Sequence, residues 1–119
     1  MKVTHIFWSL GFGGIETMLV NIANAQAEAG SEVSVLIINE LYEQSLVNSL
    51  DKRVNLVFLN RKKGAITPWF IVRLNRILKR SKPDVIHLHR SDLYHFVWGK
   101  KLKSNVCITL HALPKGLVR

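Results

Sequence analysis

The residues of this chain that are best suited to chemistry begin with a glycine-rich turn. Gly11, Gly13 and Gly14 stand between an apolar run and a helical pattern. A strand, a glycine turn and a helix in this order present backbone N–H groups at a helix N-terminus, where phosphate groups commonly bind. Glu16 stands where the dinucleotide-binding pattern has its third glycine, which argues against a nicotinamide site, although Glu40 at the end of the second strand keeps that alternative open. A second alternative is that the glycines only form a tight turn.

A second group of polar residues follows the last two predicted strands. His89, Arg90, Ser91 and Asp92 come at the end of the fourth strand, and His111 ends the fifth. The carboxyl ends of parallel strands share one edge of a sheet, so we expect these side chains to border the same crevice as the glycine turn. There His111 is suited to hold a hydroxyl group or to accept its proton at neutral pH. For residues 89–92, a solvated loop is an alternative of equal weight.

Two of the histidines also raise the question of a metal site. His87 and His89 point to the same side of an extended strand, and His5 lies in a strand expected to neighbour it. We interpret His87 as a core histidine and His89 as the better candidate for contact with a ligand. We predict no metal, because the sequence shows no third ligand at a fixed spacing and no carboxylate with the character of a metal motif.

A predicted helix in the second half of the chain has an apolar side and a basic side. The basic side carries Arg73, Arg76, Lys79 and Arg80, with Trp69 one turn before Arg73. A cationic stripe that ends in a tryptophan is suited to an anionic membrane surface, so we predict membrane contact through Trp69, Arg73, Arg76 and Arg80. The alternative is a solvated face on which Trp69 packs against an arginine stem.

The charge balance limits the class of partner. The chain has 119 residues, with 17 Lys and Arg against 8 Asp and Glu, a formal net charge of +9 and an isoelectric point near 10.1. A field this positive favours nucleic acid, an anionic membrane or phosphorylated substrates. We expect no nucleic acid partner, because the basic residues do not interleave with stacking aromatic residues. A non-catalytic domain that binds another polyanion stays an alternative.

The remaining composition predicts a folded cytoplasmic protein. Apolar residues make up 48% of the chain, and no apolar run approaches the roughly 20 residues that span a bilayer. There is no signal-peptide pattern. Cys107 is the single cysteine, which excludes an internal disulfide, and we interpret it as a small buried apolar residue. We therefore expect a reducing cytoplasm, with a peripheral contact at the inner membrane face through the basic stripe.

Strand and helix patterns alternate along the whole chain. Strands are predicted at 3–8, 32–39, 54–59, 84–89 and 105–111, and helices at 15–29, 41–50, 68–80 and 93–101. The face of the first helix that we expect to be buried carries Ile15, Met18, Leu19, Ile22 and Gln26, with alanines at its flanks and Gly30 as the stop signal. Crossover helices give parallel strands with right-handed connections. We predict one α/β domain over residues 1–119, a doubly wound, mostly parallel Rossmann-like sheet of order 3-2-1-4-5 with helices on both faces.

The order of these motifs resembles the N-terminal signature of GT-B fold glycosyltransferases of the retaining GT4 group. The resemblance begins with the runs Gly13 to Glu16, Leu19 to Ala23 and Gly30 to Val33. Segments 84–89 and 109–111 then match that family's next two landmarks in the expected order. Each motif is loose, but their order and spacing make the resemblance fairly specific over essentially the whole chain.

The resemblance implies a transferase that moves a sugar from a nucleotide-sugar donor to a glycan or lipid-linked acceptor, with retention of configuration and with neither metal nor other cofactor. It implies two Rossmann-like domains, of which this chain is an incomplete acceptor-side half that we expect to be inactive alone. We expect the donor half, with its E-x7-E motif, to lie outside this chain. By position, Gly13 and Gly14 approach the donor diphosphate and sugar, His111 lies near the reacting sugar as the catalytic residue, and His89 through Asp92 border the acceptor.

Overall fold

The fold is a parallel sheet flanked by helices. A computed structural model describes residues 1–11, 13–40, 42–61, 69–97 and 105–108. Within these residues the strands are β1 (Lys2–Phe7), β2 (Glu32–Asn39), β3 (Asn55–Arg61), β4 (Val85–Leu88) and β5 (Asn105–Ile108), and the helices are α1 (Gly14–Glu28), α2 (Gln44–Ser49) and α3 (Trp69–Ser81), with a 3-10 helix at Ser91–Phe96. The sheet order β3-β2-β1-β4-β5 with all-parallel pairing confirms the predicted doubly wound architecture.

The neighbouring strands β1 and β2 are buried on both sides. Residues Val3–Phe7 of β1 and Val35–Ile38 of β2 are all buried. Because successive side chains of a strand point to opposite faces, an unbroken buried run requires that both faces of the sheet be covered. Ile6 pairs with Leu36 on one side and with Leu88 on the other. The carboxyl ends of these strands are thereby fixed at one edge of the sheet.

Helix α1 ends as the sequence predicts. Gly30 adopts a φ of +95°, and its N–H group donates to the carbonyl of Ala27 at 3.1 Å. The N–H group of Ser31 donates to the carbonyl of Gln26 at 3.0 Å. These two bonds form a Schellman motif, in which glycine occupies the left-handed position at little steric cost.

The face that α1 turns towards the sheet differs from the predicted one. Leu19, Val20, Ala23 and Ala27 are buried, whereas Met18 is 45% exposed. The predicted face is confirmed at Leu19, and Ile22 and Gln26 are partly buried. The prediction was wrong for Met18 and for the alanines, which were expected at the flanks of the buried face. The contact of α1 with the core is therefore made in part by the small side chains of Ala23 and Ala27, and Met18 lies outside it.

Helix α3 follows its prediction with one addition. Leu74 and Leu78 are buried, but so is Asn75, whose amide Nδ2 donates to the carbonyls of Ile71 and Phe96, each at 2.8 Å. Asn75 therefore connects α3 to the 3-10 helix. None of the described helices is long and apolar enough to cross a membrane.

Several predicted boundaries change. The helix predicted at 41–50 is shorter, and the start of the one predicted at 93–101 is the 3-10 helix Ser91–Phe96. Cys107 is exposed, so its interpretation as a buried residue was wrong. Residues 98–104 and 109–119, which include the end of the predicted fifth strand, lie outside the described residues.

Candidate functional site

The glycine turn between β1 and α1 holds a carboxylate of its own. Gly13 is the N-cap of α1 with an extended backbone, and its carbonyl accepts the first helical hydrogen bond from the N–H group of Thr17 at 3.0 Å. The Ser9 hydroxyl donates to Oε2 of Glu16 at 2.9 Å. A Cβ atom built on Gly13 would collide with the Glu16 carboxylate. A helix N-terminus stabilises a negative group at this place, and here Glu16 supplies it.

The two predicted donor-binding glycines are not equivalent. The N–H group of Gly13 donates to the carbonyl of Gly11 at 3.0 Å. Gly14 is exposed at the start of α1, and its N–H group precedes the first intrahelical hydrogen bond, as does that of Ile15. A shallow, open hollow beside them is lined by Gly13, Gly14, Thr17, Met18 and Asn21. Of the two glycines, Gly14 has the N–H group that is better placed to meet a ligand.

A β-bulge at the end of β3 directs Arg61 towards the centre of the sheet edge. Ile37 pairs with Phe58, but two residues later Asn39 pairs with Arg61, so β3 carries one extra residue. Asn60 takes up this residue with a φ of +56°, a left-handed conformation that asparagine tolerates better than most side chains. As a result, Nη1 of Arg61 donates to Oδ1 of Asn39 at 3.0 Å.

Aromatic rings surround the Arg61 guanidinium group. Its central carbon lies 5.8 Å from the ring centroid of Trp8 and 5.5 Å from that of Phe70, within the range of a cation–π interaction. Both rings also contact Phe96, at centroid distances of 5.6 and 5.5 Å. We call this region the strand-edge surface. It consists of Trp8, Arg61, Phe70 and Phe96, together with Asp92, which is described next.

The polar residues after β4 join the strand-edge surface through Asp92. Nε1 of Trp8 donates to Oδ1 of Asp92 at 3.3 Å, and Nη2 of Arg90 lies 3.1 Å from Oδ2 of the same carboxylate. The side chains of Arg90 and Asp92 are 55% and 42% exposed. The structure therefore brings the ends of β1, β3 and β4 together at one edge, as the topology predicts, and leaves a half-open ion pair there.

Three histidines meet on the other side of β1, beneath α1. His5 is paired with His87 across β1 and β4, and one ring nitrogen from each of His5, His87 and His89 lies within 4.8 Å of the others. Nδ1 of His5 is 3.0 Å from Nε2 of His89, and Nε2 of His5 is 2.6 Å from Oε1 of Gln26 on α1. The rings of His87 and His89 stack at a centroid distance of 4.2 Å. These three residues are called the histidine cluster.

Burial keeps His5 neutral at pH 7. Desolvation is the largest cause that lowers its pKa from 6.5 to about 4; the hydrogen bond with Gln26 raises the pKa, and the charge of a protonated His87 lowers it. Because Oε1 of Gln26 only accepts, the single N–H group of neutral His5 lies on Nε2. The lone pair of Nδ1 then faces His89.

The exposure of the other two histidines is the reverse of the interpretation from sequence. His89 is fully buried, with its ring directed at His5, whereas His87 is half-buried. The alternation of β4 continues through His89, which carries this side chain below the sheet edge instead of into the crevice. Arg90 and Asp92 are the described members of the predicted acceptor-binding segment whose side chains reach solvent.

Comparison with known proteins places this chain in a family. The model of Glycosyltransferase Family 4 matches residues 12–119. The chain belongs to Glycosyltransferase Family 4. No curated protein and no solved structure matches the chain significantly. Family 4 membership, together with the parallel sheet, supports a glycosyltransferase-type enzyme at a general level.

Two predicted site residues of this family 4 chain are not fully described. His111, the predicted catalytic residue, lies outside the described residues, and Ser91 is described only as the first residue of the 3-10 helix. The predicted roles of Gly13, Gly14, Arg90 and Asp92 stay predictions, as do those of His111 and Ser91.

The predicted membrane-contact residues all lie on the exposed side of α3. Trp69 is 69% exposed, and Arg73, Arg76 and Arg80 are exposed as well. Arg73 differs from the other two arginines because its Nη1 donates to the carbonyl of Leu59 at 3.3 Å. The basic stripe is therefore a real surface of the family 4 domain, with one arginine partly used in packing against β3.

Sequence reasoning did not foresee three polar contacts in this family 4 chain. Gln26 was the one polar member of the predicted buried face of α1, and this was a usable signal, because a polar side chain on an apolar face needs a buried partner. Asn75 sat among apolar residues of α3 in the same way. The position of Arg61 between Trp8 and Phe70 had no sequence signal, since it depends on the bulge at Asn60.

Proposed function

We propose that this family 4 chain is the acceptor-side half of a retaining GT-B glycosyltransferase, which transfers a sugar from a nucleotide-sugar donor to a glycan or lipid-linked acceptor. The observation that carries the proposal is the family match over residues 12–119 on a parallel sheet whose carboxyl edge gathers polar and aromatic side chains. Ligands of open α/β sheets bind at this edge. In the proposal, a second Rossmann-like half carries the nucleotide pocket and faces the strand-edge surface across a cleft.

The donor approaches this half at the start of α1. Its phosphates lie against the N–H groups of Gly14 and Ile15, where the helix N-terminus favours negative charge. The Glu16 carboxylate, which lies against Gly13 and accepts a hydrogen bond from Ser9, repels phosphate and can accept further hydrogen bonds, so the hydroxyl groups of the transferred sugar are directed towards it. The leaving diphosphate is stabilised by helix N-termini and by basic residues of the second half.

The acceptor lies on the strand-edge surface. Trp8 and Phe70 offer apolar ring surface, and the Arg90–Asp92 pair offers a donor and an acceptor of hydrogen bonds close to the indole of Trp8. This combination suits a sugar, which has apolar C–H faces and a rim of hydroxyl groups. His111 is proposed as the residue next to the reacting sugar, on the resemblance alone.

The test is sugar transfer by the longest natural polypeptide that contains this sequence. Labelled nucleotide sugars are supplied one at a time with glycan and lipid-linked acceptors. We expect labelled product with one donor class, and a loss of about tenfold or more in kcat/KM for Asp92→Asn, because the Trp8 and Arg90 contacts that orient the site are weakened.

Lys52→Ala is the matched control. Lys52 is exposed just before β3, at the amino edge of the sheet, whereas the strand-edge surface lies at the carboxyl edge. The sugar-transfer activity of Lys52→Ala should equal that of the wild type. An absence of transfer with every donor, or full activity of Asp92→Asn, would contradict the proposal.

We further propose that the exposed side of α3 contacts an anionic membrane surface, where a lipid-linked acceptor is held. The proposal is supported by Trp69 at 69% exposure and by the exposed Arg76 and Arg80. Tryptophan prefers the membrane interface, and clustered basic residues are attracted to anionic headgroups.

A further inference from the structure

The histidine cluster takes no part in the function proposed above. His5 and His89 are fully buried, His87 is half-buried, and all three lie on one face of the sheet beneath α1. We propose that His5, His87 and His89 together bind one Zn²⁺ ion or a similar transition-metal ion, which links β1 to β4. This proposal is independent of the transferase activity and revises the expectation of a chain without metal.

The spacing of the ring nitrogens is close to that of a metal site. Zn–N bonds of about 2.0–2.1 Å place two imidazole nitrogens of a tetrahedral site about 3.3 Å apart. Nδ1 of His5 and Nε2 of His89 already stand 3.0 Å apart. The ligand atoms of the three rings lie within 4.8 Å of one another, so the widest pair must close by about 1.5 Å. A turn of the half-buried His87 ring supplies this movement, because the χ2 torsion of histidine is soft.

Gln26 supports the site from the second layer. Metal-bound histidines generally donate their other ring N–H group to an oxygen, which fixes the tautomer and the ring orientation. Oε1 of Gln26 lies 2.6 Å from Nε2 of His5, which leaves the Nδ1 lone pair facing Nε2 of His89. The competing explanation is a metal-free chain of hydrogen bonds, in which His89 donates to His5 and His5 donates to Gln26.

The chemistry of the ligands selects the class of metal. Three imidazoles with no carboxylate among them favour Zn²⁺, Co²⁺, Ni²⁺ or Cu²⁺ over Mg²⁺ or Ca²⁺. Cys107 pairs with His87 in the register of β4 and β5, but its sulfur is not among the clustered ligand atoms. Among the residues that the structure describes, the site therefore has three protein ligands, and we assign its fourth position to water.

The test is metal titration of the full chain, purified without a histidine tag and stripped with EDTA. Zn²⁺ is added in competition with a chromophoric chelator, and Co²⁺ is added separately for its visible spectrum. We expect one equivalent of either ion per chain, with a tetrahedral Co²⁺ spectrum that lacks a thiolate charge-transfer band. His87→Gln and His89→Gln should each weaken Zn²⁺ binding at least about tenfold, and Gln26→Leu by about 10-fold to 100-fold.

Cys107→Ser is the matched control, because an exposed thiol is the most common competing ligand for these ions. The Zn²⁺ affinity of Cys107→Ser should equal that of the wild type. Far-ultraviolet circular dichroism tests whether each variant is folded. If the His89 variant does not fold, the wild-type Co²⁺ spectrum still tests the proposed coordination. An absence of stoichiometric binding, a thiolate band, loss of binding in Cys107→Ser, or wild-type affinity in His87→Gln would each overturn the proposal.

Discussion

The carboxylate of Glu16 lies against Gly13, in the space that a Cβ atom on this glycine would need. Because the same carboxylate accepts a hydrogen bond from Ser9 at 2.9 Å, one side chain joins the end of β1 to the start of α1. A Cβ atom on Gly14, the next residue, would have no neighbour within 4 Å. The adjacent glycines therefore differ: one makes room for a carboxylate, and the other is open to solvent.

This difference predicts opposite effects of two alanine substitutions. Gly13→Ala should lower the free energy of unfolding by about 1 kcal/mol, because the new methyl group displaces the carboxylate and breaks its hydrogen bond with Ser9. Gly14→Ala should leave it unchanged or raise it by up to about 1 kcal/mol, because alanine is the better helix former. Urea unfolding measures both. A stable Gly13→Ala variant beside a destabilised Gly14→Ala variant would refute this account of the turn.

The bulge at Asn60 gives a second prediction, for the strand-edge surface. Asn60→Val should lower the free energy of unfolding by about 1–2 kcal/mol, because a β-branched side chain resists the left-handed conformation at this position. Asn60→Gly is the control and should be close to the wild type, since glycine adopts this conformation freely. Thermal and urea unfolding test the pair, and equal destabilisation of both variants would argue against the bulge.

The buried His5 makes stability depend on pH in a defined window. Its pKa is about 4 in the folded chain against an ordinary value of 6.5, so the unfolded chain binds more protons between these values. The contribution of His5 to the free energy of unfolding is therefore fully present above about pH 6.5. It falls as the pH is lowered towards 4, by about 3 kcal/mol at most. Below about pH 4, His5 contributes no further loss.

Urea unfolding of the EDTA-treated chain between pH 7 and pH 4.5 measures this dependence. His5→Gln is the comparison, because it removes the titrating group and keeps a polar side chain next to Gln26, while His87 and His89 are present in both proteins. The slope of unfolding free energy against pH should be clearly smaller in the variant. Identical slopes would mean that His5 is not buried as a neutral ring.

The link between α3 and the 3-10 helix depends on Asn75. Asn75→Ala should lower the free energy of unfolding by about 2 kcal/mol, because the carbonyl of Phe96 loses its donor at a buried contact. Asn48→Ala removes an exposed asparagine of α2 and should change the stability by less than about 0.5 kcal/mol. Both are measured by urea unfolding. A similar, small effect in the two variants would show that the Asn75 contact is not structural.

The fold could be predicted because its signals are local. Each strand of the sheet is a short apolar run such as Val33–Ile38, and turn or stop residues such as Gly30 separate the elements, so the crossover order follows from the pattern. Membership in Glycosyltransferase Family 4 agrees with the resemblance found in the same motifs. The prediction of the buried face of α1 failed at Met18. Hydrophobicity ranks Met18 above Ala23 and Ala27, whereas close helix-to-sheet packing prefers the smaller side chains.

The site was less predictable because it depends on contacts between distant parts of the chain. The sequence shows no third metal ligand at a fixed spacing from His87 and His89, yet strand pairing brings His5 beside them, although it lies 84 residues before His89 in the sequence. Likewise, Arg61 meets Trp8 only because of the bulge at Asn60. Such contacts are set by register and by single backbone angles, which periodicity does not encode.

The exposed side of α3 provides the last prediction. If it contacts an anionic membrane, the chain should float with vesicles that contain phosphatidylserine or phosphatidylglycerol and should remain unbound with neutral phosphatidylcholine vesicles. Each basic residue near the membrane surface contributes about 1 kcal/mol to binding, so Arg76→Glu should lower the partition coefficient at least about fivefold, and added salt should lower it in the wild type.

Arg76 is preferred to Arg73, whose contact with the Leu59 carbonyl would complicate the result. Lys52→Glu makes the same charge change at an exposed position away from α3, so equal losses in the two variants, or no flotation of the wild type, would exclude the proposed membrane face.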